Sequence, residues 1–267
     1  MRGNCWDRAA SPYFDLWVPR LIPYHEDLIR RAVPRPGERV LVTAAGPGAE
    51  LLPISRALEG TGMLAATDSS PTMIEHARAE ALKAGIAMPI DFRVADAADT
   101  LGGTWDLIVS AFGLWQLEDR DEVLRSWSEA LGEDGRIAVL EWGPPEPDGP
   151  FQLAELALVH TAPELGGARR GWALASRESM GELLASSGLR LVRHAVIRNT
   201  MSFGSAEGFL QALCNGGAFV HLVEGLGRER LGAMAEAFYA RLDPPSARTP
   251  LSFAPAASIA IAQKSPA

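Results

Sequence analysis

Cysteine is scarce in this chain. Cys5 and Cys214 are the only two, far apart and outside any metal-ligand spacing, which argues against both a disulfide framework and a zinc ribbon. Basic charge is also in deficit. Lys and Arg total 25 against 33 Asp and Glu, for a formal net charge of -8, and no lysine-rich run offsets it. Non-specific binding to nucleic acid is therefore disfavoured, and no nucleic-acid partner is expected. No apolar run reaches membrane-spanning length. The segment Met1–Asp7 has no signal-peptide apolar region, so a cytoplasmic protein without a membrane span is expected. No His/Cys/Asp/Glu cluster shows metal-ligand spacing, and no metal is expected. Repeats at a solenoid period are missing too.

What is present is the balance of a soluble globular protein. Hydrophobic residues make up 47% and charged residues 22% of 267 residues, enough for a sizeable core without disulfides. An apolar strand followed by an amphipathic helix recurs along the chain. Strands are expected at Arg39–Ala44, Met63–Asp68, Ile90–Ala95, Trp105–Phe112 and Arg136–Trp142. The intervening helices carry Leu51, Ile54 and Leu58, then Ile74, Ala77 and Ala81, then Val123, Trp127 and Leu131 on one face. Ser70-Pro71 reads as N-cap and first helical residue. Such alternation predicts an α/β fold with an open, mostly parallel sheet. The rhythm loosens after the loop Gly143–Pro150. Helices follow near Phe151 and Ser176, a strand from Leu189 to Ile197, a mainly helical stretch at 198–245, and a last strand between Leu251 and Ala262. The expected organisation is a single domain, residues 1–267, with an N-terminal helical segment at 1–36 and cap insertions at about 150–175 and 198–245. Gly204, Gly208, Gly216-Gly217, Gly225 and Gly227 supply candidate hinges in that cap.

Ligands of open parallel sheets bind at the carboxyl ends of the strands. The first strand ends in Ala44-Ala45-Gly46-Pro47-Gly48, where glycine lets the backbone approach a ligand. The second ends in Asp68, twenty residues after Gly48, placed to accept the ribose hydroxyls of an adenosine. A dinucleotide is one reading, but its fingerprint needs Gly or Ala where Leu51 stands. The bland alternative is that Gly46 and Gly48 only make a tight turn.

Five segments in order carry a resemblance. Val40–Gly48, Thr67–Met73, Arg93–Ala97, Trp105–Leu114 and Leu131–Arg136 resemble the motifs of class I S-adenosylmethionine-dependent methyltransferases, closest to the branch acting on quinones and natural products. The resemblance implies a Rossmann-like, seven-stranded methyltransferase sheet with a final antiparallel strand, helices on both faces and a helical cap. It implies S-adenosyl-L-methionine as cofactor, held by Ala44, Ala45, Gly46, Gly48, Asp68, Ser69, Met73, Asp96, Ala97, Ala111 and Phe112. Two positions depart from the family pattern. Val42 stands where an Asp or Glu usually helps hold the amino group of the methionine part, and Ala44 stands where Gly is usual.

Transfer to an oxygen needs a proton acceptor, commonly histidine or a carboxylate. His160 and His221 lie in the two cap segments and are the candidate bases, with Glu141 at the end of the fifth strand as a third. His25 and His76 read as packing or surface residues, and His194 as structural. Trp115 and Trp142, at the carboxyl edge, and Tyr13, in the N-terminal segment, are candidate substrate contacts, with packing against the inserted helices as the alternative. Together with Phe151, Phe203, Phe209 and Phe219 they favour a hydrophobic small molecule. The expected function is methylation of a hydroxyl or enol oxygen of a natural-product intermediate. Carbon or nitrogen methylation, and a non-methylating cofactor-binding protein of the same fold, are the alternatives. The oligomeric state stays open.

Overall fold

A computed structural model describes residues 3–165, 176–217 and 219–265. Two helices, α1 (Gly3–Leu16) and α2 (Val18–Ala32), precede β1 (Arg39–Thr43), α3 (Leu51–Ala57), β2 (Met63–Asp68), α4 (Pro71–Lys83), β3 (Ile90–Val94) and β4 (Trp105–Ala111). Then come α5 (Arg120–Ala130), β5 (Leu131–Trp142), α6 (Pro150–Thr161), α7 (Arg177–Ser186) and β6 (Leu189–Arg198). The remaining elements are β7 (Met201–Phe203), α8 (Ala206–Gly216), α9 (Val220–Val223), α10 (Arg228–Tyr239), β8 (Leu251–Phe253) and β9 (Ala256–Lys264).

Seven strands form one sheet in the order β3-β2-β1-β4-β5-β9-β6. The pairs among β1 to β5 are parallel, and β9 runs antiparallel to both β5 and β6. Strand order reverses between β1 and β4, which puts the ligand-binding crevice at the carboxyl ends of β1, β2 and β4. Alternate residues face opposite sides. Val40, Val42, Leu64, Ala66, Leu107 and Val109 join the core beneath α2, α3, α4, α6 and α8. Leu41, Ala65, Ile108, Ile137 and Val139 join a second core beneath α5 and α7. Both faces are covered, as a near-continuous apolar strand such as β4 requires.

Two boundaries differ from expectation. β5 begins at Leu131 rather than Arg136, because Trp105 pairs with Leu131 while Leu107 pairs with Arg136, so Gly132–Gly135 bulge out between two paired stretches. The late strand is two strands: Leu251–Phe253 leaves the main sheet to pair with Met201–Phe203, and Pro255 separates it from β9. Part of the expected cap, residues 166–175, lies outside the described residues.

The helix starts follow local chemistry. Ser70 caps α4 by accepting from the Met73 N–H at 3.1 Å, with Pro71 in the first turn, and Asp119 caps α5 through the Glu122 N–H at 2.8 Å. The N-terminal helices are tied down at several points. The Ser70 hydroxyl donates to Asp7 of α1. Trp17 Nε1 donates to the Ala212 carbonyl of α8 at 2.9 Å. The Tyr24 hydroxyl lies 2.7 Å from the carbonyls of both Asn199 and Pro255. Below α2, the Arg136 guanidinium grips both Glu38 oxygens at 2.9 Å and reaches the Ala32 and Val33 carbonyls. The contacts of Asp7, Trp17 and Tyr24 hold α1 and the first half of α2 at the carboxyl edge of the sheet, while Arg136 ties the end of α2 to the amino edge.

Candidate active site

The crevice so enclosed encompasses about 1230 Å³ of space, its open mouth included. Ala44, Ala45 and Gly46 line it from the end of β1, Asp68, Ser69 and Met73 from the second strand and the start of α4, Asp96 and Ala97 from beyond β3, and Ala111 and Phe112 from β4. The structure thus brings together every residue named from the cofactor motifs except Gly48. A Cβ at Gly48 would lie 2.6 Å from Leu51 Cδ1 and 3.2 Å from Ala77 Cβ. That glycine lets α3 and α4 pack close to the turn; it does not face the cavity. At Gly46, by contrast, φ is +50° and a Cβ would meet nothing within 4 Å, so the missing side chain leaves open cavity.

Asp68 organises this edge. Its Oδ2 accepts from the Gly46 N–H and its Oδ1 from the Ser70 N–H, each at 2.9 Å. A carboxylate has about four lone-pair sites, so two remain for a ligand's hydroxyls. Burial raises its pKa, the Ser70 and Gly46 N–H groups oppose that, and the charges of Asp7 and Glu50 add to the rise. Asp96, at the exposed rim, accepts from the Ala98 N–H at 2.9 Å. Ala44 and Phe112 both hold positive φ, +48° and +54°, a conformation costing non-glycine residues about 1–2 kcal/mol and one that collects at functional sites.

One side of the cavity is aromatic. Tyr13, Trp115 and Trp142 all line the cavity, joined by Trp6, Trp17 and Phe151. Ring centroids of Phe112 and Trp142 are 4.5 Å apart, and those of Trp142 and Phe151 5.1 Å. Trp115 Nε1 is buried without a partner among the described residues. The Tyr13 hydroxyl pKa is raised by burial and by the nearby charges of Glu50 and Asp68.

The histidines depart from expectation. His160 is exposed on α6 and His221 exposed on α9, and neither lines the cavity; α6 turns its apolar face, Ala154, Ala157 and Leu158, to the core and leaves His160 outside. Glu141 is fully buried beneath the turn after β4, where Oε1 accepts from the Leu114 N–H at 2.8 Å, and it is not part of the cavity wall. Burial drives its pKa to about 8 against the opposing pull of the Leu114 and Trp115 N–H groups and Arg120. His194 bonds Ser258 Oγ at 2.6 Å, and His76 stacks on Phe14. His25, read as a packing residue, does line the cavity, with Nδ1 2.9 Å from Oε1 of Glu50. The pair escaped sequence reasoning although a signal existed: His25 interrupts the buried stripe Leu21, Leu28 and Ile29 of α2. Two of the expected hinge glycines are also contacts instead. A Cβ at Gly216 would strike the Tyr13 backbone N at 2.6 Å, and one at Gly217 would strike Trp17 Nε1 at 2.9 Å.

Two charge features stand out. Glu50, Asp68 and Asp96 face the cavity, and no Lys or Arg is among the described residues lining it. Among the described residues, no group of three or more His, Cys, Asp and Glu could hold a metal ion, and no helix is long and apolar enough to cross a membrane.

Comparison with known proteins agrees with this geometry. Residues 40–135 match the family model described as a methyltransferase domain. The chain is 31% identical over 135 residues to the ubiquinone/menaquinone biosynthesis C-methyltransferase UbiE of Haemophilus ducreyi, covering 50% of this chain and 52% of that one. It is 33% identical over 138 residues to the aklanonic acid methyltransferase DauC of a Streptomyces species, covering 51% and 62%. The chain therefore spans between about half and two thirds of the length of these curated relatives. Among solved structures, the YcgJ protein of Bacillus subtilis superposes with a TM-score of 0.60 at 18% identity, over 91% of this chain and 100% of that one. Sheet order, the cavity-facing turns and the matched stretch coincide: residues 40–135 of this chain are similar to a methyltransferase domain.

Proposed function

We propose that the chain transfers a methyl group from S-adenosyl-L-methionine to an apolar, planar small molecule, at a hydroxyl or enol oxygen. The observation that carries this reading is the sign of the cavity. A wall with three carboxylates and no Lys or Arg suits a ligand bearing sulfonium and ammonium charge, and repels the charge of a pyrophosphate. The residues fit the group. Asp68 has spare lone pairs for ribose hydroxyls, Gly46 leaves room for close approach, Met73 and Ala97 supply apolar contact beside the nucleoside, and Asp96 sits at the rim. When bound, the cofactor supplies an activated methyl group.

The chain's own part is positioning and exclusion of water. The aromatic walls from Trp17 to Trp142 place a flat acceptor against the β4 edge, and α1, α2 and α8 close over it. Excluding water strengthens each polar contact inside, and holding the reactants in line replaces a bimolecular encounter. The carboxylate missing at Val42 has no substitute at that position, since Val42 is fully buried in the apolar core. Glu50, six residues past the Ala44 turn, brings a buried carboxylate to the same cavity. The curated relative UbiE is named a C-methyltransferase. Carbon is accordingly the second reading, since an ionised enol or phenol also reacts at carbon.

Calorimetry with S-adenosylhomocysteine and with NAD tests the cofactor. Binding of the first and not the second is expected. Asp68→Ala, with folding verified by circular dichroism, should weaken it by about 10- to 100-fold, the loss of charge-assisted bonds worth ~1.5–3 kcal/mol. Undiminished affinity would remove Asp68 from the site. Mass spectrometry of phenolic and enolic acceptors, before and after alkaline hydrolysis, then separates oxygen from carbon products.

A further inference from the structure

We propose that His25 is the general base of this site and that Glu50 is its positioning partner. The inference rests on the methyl-transfer reading and adds the proton acceptor that the reading lacks. His25 is 5% exposed and Glu50 2% exposed, and both line the cavity that holds the cofactor-motif residues. Burying two such polar groups is costly unless they serve each other, and they meet at 2.9 Å through Nδ1 and Oε1. An ionised carboxylate can only accept, so Nδ1 carries the proton and donates to it. That tautomer leaves a lone pair on Nε2, and Nε2 has no hydrogen-bond partner among the described residues.

The placement is catalytic in kind. The His25 ring sits edge-on to Phe112, centroids 5.9 Å apart and planes at 76°, and Phe112 is the strained residue at the end of β4. Phe112 in turn packs on Trp142, the aromatic wall against which the acceptor is held. The base therefore stands between the cofactor edge and the acceptor wall. A carboxylate behind an imidazole fixes its tautomer and stabilises the imidazolium that forms. The proton step balances simply. The acceptor O–H bond breaks, its electron pair stays on oxygen, and the proton joins Nε2 of His25. The positive imidazolium then faces Glu50, whose second oxygen, buried and unpartnered, has no competing cation among the lining residues. The proton leaves to solvent after turnover. No other histidine lines the cavity among the described residues.

The probe is 4-nitrophenol, whose ionised form absorbs in the visible. Added to the protein saturated with S-adenosylhomocysteine, it should ionise at a pH below its solution midpoint, and 15N spectra of labelled histidine should show His25 turning from the Nδ1–H form to imidazolium as it does. His25→Gln should bind S-adenosylhomocysteine within about 2-fold of the parent yet abolish the downward shift of the phenol midpoint. Glu50→Gln should reduce it and move the pH midpoint upward. Turnover of phenolic acceptors should fall at least 100-fold in His25→Gln and be partly restored by added imidazole in His25→Ala. A His25 found in the Nε2–H tautomer, or unchanged phenol ionisation in His25→Gln, would overturn the assignment. Loss of S-adenosylhomocysteine binding in the parent would instead sink the methyl-transfer reading on which it rests.

Discussion

At the scale of single residues, the end of β1 shows how one side chain depends on the absence of another. Ala44 occupies a left-handed conformation, φ +48°, where the family pattern has glycine, and its methyl group points at Gly113: a Cβ there would lie 2.7 Å from Ala44 Cβ and 3.0 Å from Ser110 Oγ. The two positions are coupled. Gly113→Ala should cost about 1–3 kcal/mol through overpacking, and roughly 1 kcal/mol less in an Ala44→Gly background, where part of the clash is gone. Urea unfolding of the four-member cycle measures this, and strict additivity would refute it. Glu141 makes a second residue-level case. Its carboxyl titrates at about 8 in the fold against ~4.3 in an unfolded chain. Between those values the folded state holds a proton that the unfolded state releases, so stability is full below the unfolded midpoint and falls as pH rises through about 8. Glu141→Gln keeps an acceptor for the Leu114 N–H and should flatten that slope, leaving the variant more stable than the parent at about pH 9. Denaturation midpoints at several pH values would show it.

At the scale of elements, α2 ends at an unusual cap. Val33 holds φ +50° and its N–H bonds the Ile29 carbonyl, a role glycine fills in many helices, and its side chain is largely exposed. Val33→Gly should therefore stabilise the protein by up to about 1 kcal/mol, relief of left-handed strain exceeding the entropic cost; an unchanged or lowered melting temperature would show that the Arg136 contact to the Val33 carbonyl already compensates. The same helix shows what could and could not be read from residues. The strands of the parallel half, their order of appearance and the strand-end positions of Gly46, Asp68 and Asp96, which line the cavity, were legible, because apolar runs ending in Gly or Asp are local patterns. The His25–Glu50 contact was not, because it joins two residues 25 apart whose meeting depends on how α2 lies across the sheet. That His160, a candidate base, lies outside the cavity was hidden for the same reason: position in a cap segment does not tell which way a helix faces. Glu141 misled differently, since a carboxylate ending a strand looks like a site residue until its burial beneath the Leu114 turn is known.

At the scale of the whole molecule, the cavity is a joint product of the strand ends and of helices that precede and follow them in sequence. Tyr13, Trp17, Leu21 and His25 reach it from α1, α2 and their junction, and Leu213 and Gly217 from α8 and its end. Occupancy should therefore be felt well away from the β1 turn. Hydrogen exchange with and without S-adenosylhomocysteine should show slower amides in residues 3–32 and 206–217 as well as at the ends of β1 and β2. Protection confined to the strand ends would mean that the helices close independently of the ligand.

The position of β9 has a consequence for how the chain acquires this shape. It lies between β5 and β6 and is the only neighbour of β6 in the sheet among the described residues, so β6, finished by residue 198, stays unpaired until residues 256–264 have been made and threaded in. Five parallel strands can assemble in the order of synthesis, but the far edge waits for a contact made across more than fifty residues, the kind of long-range closure that slows folding. During that wait the open flanks of β5 and β6 invite pairing with other chains. Val192 and Val196, exposed on β6 even in the finished fold, mark where such misassembly would begin.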